Sequence, residues 1–182
     1  MIPARDRVTV LLDEEAIQAR VAELGAEISE RYEGCDLTLV GILKGSVPFM
    51  ADLMRAITVP VQIDFLECSS YEGGTQTTGI VRLVKDLSHS IEFKDVLIVE
   101  DIVDTGLTLS YLRKNFEARG PKSLAIATLL DKPGGRLPET ADLPVEFVGF
   151  SIPKKFVVGY GLDLGGYFRN IPFVGVYHPP EE

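Results

Sequence analysis

Three carboxylates stand close together in the stretch Val96-Leu97-Ile98-Val99-Glu100-Asp101-Ile102-Val103-Asp104-Thr105-Gly106-Leu107-Thr108. A hydrophobic run that stops at two adjacent acids reads as a buried strand delivering them to its carboxyl end. In parallel α/β sheets, ligands bind at that end. Asp104 follows within a short turn, and Leu109, Leu112 and Phe116 then share one face of a helix. A helix N-terminus there offers unpaired N–H groups and the positive end of the helix dipole, a seat for phosphate. Thr105 and Thr108 add hydroxyl donors, and Gly106 lets the backbone approach a ligand closely. The acids beside such a seat can accept hydrogen bonds from ribose hydroxyls or help to hold Mg²⁺, a hard cation that prefers oxygen. The plain alternative is an acid-rich turn that caps a helix, and for Asp104 alone capping is the simpler reading. The full pattern, a hydrophobic strand running into Glu-Asp-x-x-Asp-Thr-Gly-x-Thr, points instead to a phosphorylated sugar.

The elements that must position this stretch can be read along the chain. Asp13 is a candidate N-cap, with Glu14 and Glu15 in the first turn of its helix. Ile17, Val21, Leu24, Ile28 and Tyr32 recur at helical spacing until Gly34. Leu37 to Leu43 reads as a buried strand, followed by Lys44-Gly45-Ser46 and a helix from about Val47 to Ile57 with Pro48 in its first turn. Val61, Ile63 and Phe65 alternate with Gln62 and Asp64, as in a strand with one wetter face. Ser69 to Gly79 is polar and contains Gly73-Gly74, which predicts a loop; Ile80 to Val84, Leu124 to Leu130 and Val145 to Phe150 predict strands. Strands alternating with amphipathic helices imply an α/β fold, a mostly parallel twisted sheet flanked by helices. The chain reads as a single domain over 1–182, with a core over about 13–144. The stretch from Ser151 is rich in Gly, Pro and aromatics and reads as part of a small lobe built from about 145–182 with the N-terminal segment.

Composition narrows the function. The 182 residues are 46% hydrophobic and 25% charged, as in a globular protein with a proper core. A formal net charge of −9 argues against nucleic acid as a partner, since binding it needs a positive field. No apolar run reaches the ~18–20 residues of a membrane span, and the N-terminus lacks a signal-peptide pattern. The expectation is a cytoplasmic protein with no membrane partner. Cys35 and Cys68 lack metal spacing and read as reduced packing residues, and His89 and His178 are too far apart in sequence to suggest zinc.

The carboxylate segment resembles the phosphoribosyl pyrophosphate signature of the type I phosphoribosyltransferases. Asp104 resembles the 6-oxopurine branch, the hypoxanthine-guanine enzymes. Further motifs follow in the family's order. Leu43-Lys44-Gly45-Ser46 is similar to its pyrophosphate loop, whose Leu–Lys peptide is often cis, and Ser69-Ser70-Tyr71 to the start of its mobile catalytic loop. Leu130-Asp131-Lys132-Pro133 is similar to the strand end with the base-reading lysine, and Lys155 to Asp163 to the purine-binding hood. Tyr167-Phe168-Arg169-Asn170 lies where the family has its pyrophosphate arginine. Gly165-Gly166 departs from the charged or polar residues expected just before it, which predicts a looser segment there.

The resemblance implies a small hood lobe over the core, Mg²⁺ as cofactor, phosphoribosyl pyrophosphate and a 6-oxopurine as partners, and a homodimer or homotetramer. It implies that Lys44, Gly45 and Arg169 face the pyrophosphate, that Glu100 and Asp101 hold the ribose, and that these two and Asp163 serve the metal. Thr105, Gly106, Leu107 and Thr108 would cradle the 5′-phosphate. Asp104 would take the proton at purine N7, with Ser70 and Tyr71 as further catalytic positions. Lys132 would donate to the six-position oxygen, Ile102 and Phe156 would flank the ring, and the Val157 carbonyl would accept from a 2-amino group. From sequence position alone, Lys132 could equally point to solvent and Phe156 could be core. A loop over Ser69–Gly79 is expected to stand open without ligand and to close over the pyrophosphate side. The rival readings are another base specificity on this fold, an RNA-binding regulator, which the acidic charge and Asp104 oppose, and a non-enzymatic nucleotide sensor.

Overall fold

The computed structural model describes residues 3–70 and 81–180. Its frame is a six-stranded sheet with helices on both faces. In chain order β1 is Val8–Leu12, α1 Glu14–Arg31, β2 Leu37–Leu43, α2 Val47–Ala56, β3 Val61–Ser70 and β4 Val81–Lys85. There follow β5 Asp95–Val103, α3 Leu107–Glu117, β6 Ser123–Asp131, β7 Phe147–Ser151, β8 Val157–Val158 and β9 Val174–Tyr177. The large sheet has the order β4-β3-β2-β5-β6-β7 and is parallel except where β3 meets β4. A second, three-stranded antiparallel sheet, β1-β9-β8, forms the small lobe.

The pleat explains the two layers. On β5, Leu97 and Val99 point into a core shared with Ile17, Leu24 and Ile28 of α1 and with Phe49 and Leu53 of α2. Val96 and Ile98 point the other way, into a core with Leu109, Leu112 and Phe116 of α3. Burial of each large apolar side chain contributes ~1.5–3 kcal/mol. A strand covered on both faces therefore reads as the continuous apolar run seen in the sequence. The predicted cap is present, with the Asp13 carboxylate accepting the Ala16 N–H at 2.8 Å. Among the described residues, no helix is long and apolar enough to cross a membrane.

Three boundaries differ from the sequence reading. β5 does not stop at the acids: it runs on through Glu100 and Asp101 to Val103, held by Ile102 pairing with Leu130 and Val103 with Asp131. Ser69 and Ser70 continue β3, paired with Arg82 and Val81, and do not open a loop. β7 pairs with β6 in the large sheet, so the core extends past 144 and the small lobe takes β8, β9 and β1. In each case backbone pairing with a neighbouring strand overrides a local change in composition.

Candidate active site

Strands β2, β5 and β6 are neighbours and parallel, so the segments leaving their carboxyl ends converge. These are Lys44-Gly45-Ser46, Asp104-Thr105-Gly106 and Lys132 to Gly135. Beside the second of these lies a small pocket lined by Glu100, Ile102, Asp104, Thr105, Gly106 and Thr108. Gly106, with φ of 78°, precedes the first turn of α3 and leaves that helix without a side-chain cap. Asp104 is therefore not the capping residue. Its Oδ2 accepts from the Lys132 ammonium at 2.9 Å.

Lys132 does not point to solvent. It is 6% exposed, and its backbone N–H donates to the Val103 carbonyl at 2.9 Å. The strand end behind it is fixed by Arg136, which donates to Asp131 at 3.1 Å and to the Leu143 carbonyl at 2.7 Å. Gly135 leaves room for the Asp104 carboxylate, which a Cβ at that position would strike. A buried ammonium and a half-exposed carboxylate thus stand side by side, the carboxylate in the lining of that pocket.

Glu100 and Asp101 sit deeper. Glu100 Oε2 is buried and, among the described residues, has no hydrogen-bond partner. Burial, and then the charge of Asp101, push the Glu100 carboxyl well above the usual carboxylate range. Burial pushes Asp101 up to about 6, against the pull of the Ile102 N–H and of Arg169. Two acids held in a water-poor place with an empty-handed oxygen suit hydroxyl donors or a hard cation. Among the described residues, no group of three or more His, Cys, Asp or Glu side chains stands together to hold a metal unaided. A Mg²⁺ ion bound by one or two carboxylates and completed by ligand oxygens and water fits such a pair.

This arrangement has a stability signature. An acid whose folded pKa is raised destabilises the fold progressively as pH rises from its unfolded value to its folded one, and by a constant amount above that. Asp101→Asn removes the effect. The Tm of the variant minus that of the wild type should be near zero at about pH 4, rise until about pH 6 and then level off. The plateau should be roughly 2–4 °C for each kcal/mol released. Thermal melts across this range, without added metal, check it; a difference flat with pH would contradict the burial of this charge.

The pyrophosphate-type loop after β2 is closely packed. Its Leu43–Lys44 peptide is cis, as the resemblance implied. Lys44 is exposed and Ser46 is fully buried, its hydroxyl donating to the Ile42 carbonyl at 2.6 Å. A Cβ on Gly45 would overlap the Asp101 carboxylate, and one on Gly161 would overlap the Gly45 carbonyl. Glycine at both positions lets the small lobe, the loop and the acids approach each other.

Arg169 donates to the Gly161 carbonyl at 2.6 Å and pairs with Asp163 at 2.6 Å. Asp163 also accepts the Gly166 N–H at 2.6 Å. Gly165 and Gly166, with φ of 60° and 87°, form the two central residues of a tight turn in which Leu164 and Tyr167 exchange both backbone hydrogen bonds. Both positions need positive φ, as in a type I′ hairpin. The expected looseness is thus corrected: the glycines make a defined turn that fixes Asp163, which in turn holds Arg169.

The other positions are placed as follows. Ile102 is half-buried against the core, Phe156 is 53% exposed at the start of β8, and Val157 is buried within it. Thr105 is exposed, while Leu107 and Thr108 open α3. Ser70 ends β3, and Tyr71 lies outside the described residues. Cys68 packs against the core on the α3 side, and burial, with the charges of Glu100 and Glu67, pushes its thiol up to about 11. The sequence reading missed Thr140, whose hydroxyl donates to the Thr105 carbonyl at 2.5 Å, and the Asp131–Arg136 pair. Neither has a periodic signal; only Pro138, opening a short 3-10 turn, hinted at order in that connection.

The phosphoribosyl transferase domain matches residues 7–164. The chain belongs to the phosphoribosyl transferase family. It is 55% identical over 170 residues to the hypoxanthine phosphoribosyltransferase of Salmonella typhimurium, covering 92% of this chain and 94% of that one. It is 50% identical to the hypoxanthine-guanine phosphoribosyltransferase of Bacillus subtilis, covering 93% of each. The fold matches a crystal structure of a Staphylococcus aureus hypoxanthine phosphoribosyltransferase with a TM-score of 0.90 and 49% identity, over 96% of this chain and 94% of that one. Within the phosphoribosyl transferase family, these relatives place the chain in the hypoxanthine-guanine branch. Arg169 lies just beyond the matched residues.

Proposed function

We propose that this chain is a purine-salvage phosphoribosyltransferase. It transfers the 5-phosphoribosyl group from phosphoribosyl pyrophosphate to N9 of hypoxanthine or guanine, giving IMP or GMP and pyrophosphate. The observation that carries this reading is the Asp104–Lys132 pair, its carboxylate in the lining of the pocket at the start of α3. One end of the site offers a phosphate seat, and the other a proton acceptor beside a cation. That is the complement of a 6-oxopurine, with N–H at N7 and oxygen at the six position.

In this reading the carbon–oxygen bond to pyrophosphate breaks, the bond to N9 forms, and the purine loses one proton to Asp104. Lys44, Gly45 and Arg169 receive the leaving pyrophosphate, and the first turn of α3 keeps the 5′-phosphate. Glu100 and Asp101 orient the ribose and, with Asp163, offer oxygens to Mg²⁺. When bound, Mg²⁺ neutralises part of the pyrophosphate charge. Phe156 and Ile102 flank the purine, and the Val157 carbonyl faces its two position. The N-terminal pattern supports a cytoplasmic enzyme, and the resemblance a homodimer or homotetramer.

The test is pyrophosphate release with Mg²⁺ and phosphoribosyl pyrophosphate against a panel of nucleobases. Turnover of hypoxanthine or guanine supports the reading, and turnover confined to a pyrimidine or adenine overturns it. By resemblance, Ser70 and Tyr71 act at the reacting centre, where the ribosyl cation must be kept from water. Tyr71→Ala should therefore lower kcat more than it weakens binding of phosphoribosyl pyrophosphate, as separate kinetic and binding titrations would measure. A near-normal kcat would remove Tyr71 from the catalytic machinery.

A further inference from the structure

We infer that Thr140 is a positioning residue for the phosphate turn, holding the Thr105–Gly106 peptide so that its N–H, and not its carbonyl, faces the ligand. This rests on the reading of that turn as the 5′-phosphate seat. Thr140 ends the short 3-10 turn Pro138–Thr140 and is 3% exposed. Its hydroxyl donates to the Thr105 carbonyl at 2.5 Å, with the Leu137 carbonyl as a second neighbour at 3.1 Å. The Leu137 backbone N–H donates to the same Thr105 carbonyl at 3.3 Å. Both lone pairs of that oxygen are thus engaged on the side away from the pocket.

A trans peptide is planar, and its N–H points opposite to its C=O. With the Thr105 carbonyl tied back toward Thr140, the Gly106 N–H is aimed the other way, toward the pocket lined by Glu100, Asp104 and Thr108. Thr140 also packs against this position, since a Cβ on Gly106 would stand 3.0 Å from its Cβ and Oγ1. Gly106 itself sits at φ of 78°, a region where its peptide can turn over at little cost when nothing holds it. A turned-over peptide would present a carbonyl oxygen to a phosphate oxygen. The loss would then include repulsion as well as a missing hydrogen bond. Thr140 touches no substrate in this account; it acts through Thr105 and Gly106.

The experiment uses the whole chain and measures equilibrium dissociation constants for IMP, inosine and inorganic pyrophosphate. Wild type should prefer IMP to inosine; equal affinities would overturn the seat reading itself, and this inference with it. Thr140→Val keeps the shape and removes the hydroxyl. Its Kd for IMP should rise about tenfold, the size of one well-placed hydrogen bond. Its Kd for pyrophosphate, which binds elsewhere in the site, should stay within about twofold. Thr140→Ser should restore IMP binding to within about threefold of wild type. Should Thr140→Val not fold, Thr140→Ala is read by the same ratio of the two constants. An unchanged Kd for IMP would overturn the inference, as would equal weakening of IMP and pyrophosphate, which is what general loosening of the fold produces.

Discussion

Asp104→Asn is expected to lower kcat by about 10²–10⁴, the range of a lost acid–base group. The substitution keeps shape and an amide oxygen, so the Lys132 ammonium, now 2.9 Å from Oδ2, retains an acceptor. What is lost is the capacity to take a proton. The phosphate turn should survive, because its Thr105 carbonyl is held by Thr140 and Leu137. The start of α3 should survive too, since Gly106 is its N-cap and no side chain caps it. Phosphoribosyl pyrophosphate should therefore bind within about threefold of wild type, and any loss should appear in kcat. Steady-state kinetics with saturating hypoxanthine, alongside a binding titration, separate the two. A kcat within about threefold of wild type would reduce Asp104 to a partner that orients Lys132.

The sequence carried the frame of this site because the frame is made by periodicity. The apolar run before Glu100 is fully buried, and its two faces are covered by α1 with α2 and by α3. Such coverage leaves a direct mark on composition. The extents of strands were less legible. Glu100 and Asp101 look like an ending, yet pairing of Ile102 with Leu130 carries the strand past them. Long-range backbone hydrogen bonds decide this, and local composition does not report them.

The side-chain partners were the least legible part. Nothing near Lys132 in sequence says that its ammonium turns inward to Asp104, 28 positions away. Gly165-Gly166 is instructive in the opposite sense. Judged by composition it suggested looseness; judged by conformation it is a tight turn with both residues at positive φ, holding Asp163 and through it Arg169. Glycine frees a backbone only where nothing else fixes it.

Hypoxanthine or guanine should be used at least ~100-fold better than adenine in kcat/KM, and the geometry of Lys132 sets that figure. An oxygen at position six accepts from the ammonium, whereas adenine presents an amino group, donor against donor. Sites built to hydrogen-bond one group can reject an analogue by 10⁴ or more when their own polar group is left unpaired, on the order seen for buried recognition. Here the rejection is smaller, because Lys132 keeps its bond to Asp104 even when the base offers nothing. The ammonium cannot swing away to solvent either. Lys132 is 6% exposed, its N–H is tied to Val103, and the loop behind it is braced by Arg136 on Asp131. Lys132→Gln supplies a carbonyl that can accept from the adenine amino group, so the preference should narrow to about tenfold or less. Paired measurements of kcat/KM for hypoxanthine and adenine, in wild type and variant, read this directly. Comparable values for the two bases in wild type would sink the role given to Lys132. A preference that survived in Lys132→Gln would take base reading away from the Lys132 ammonium.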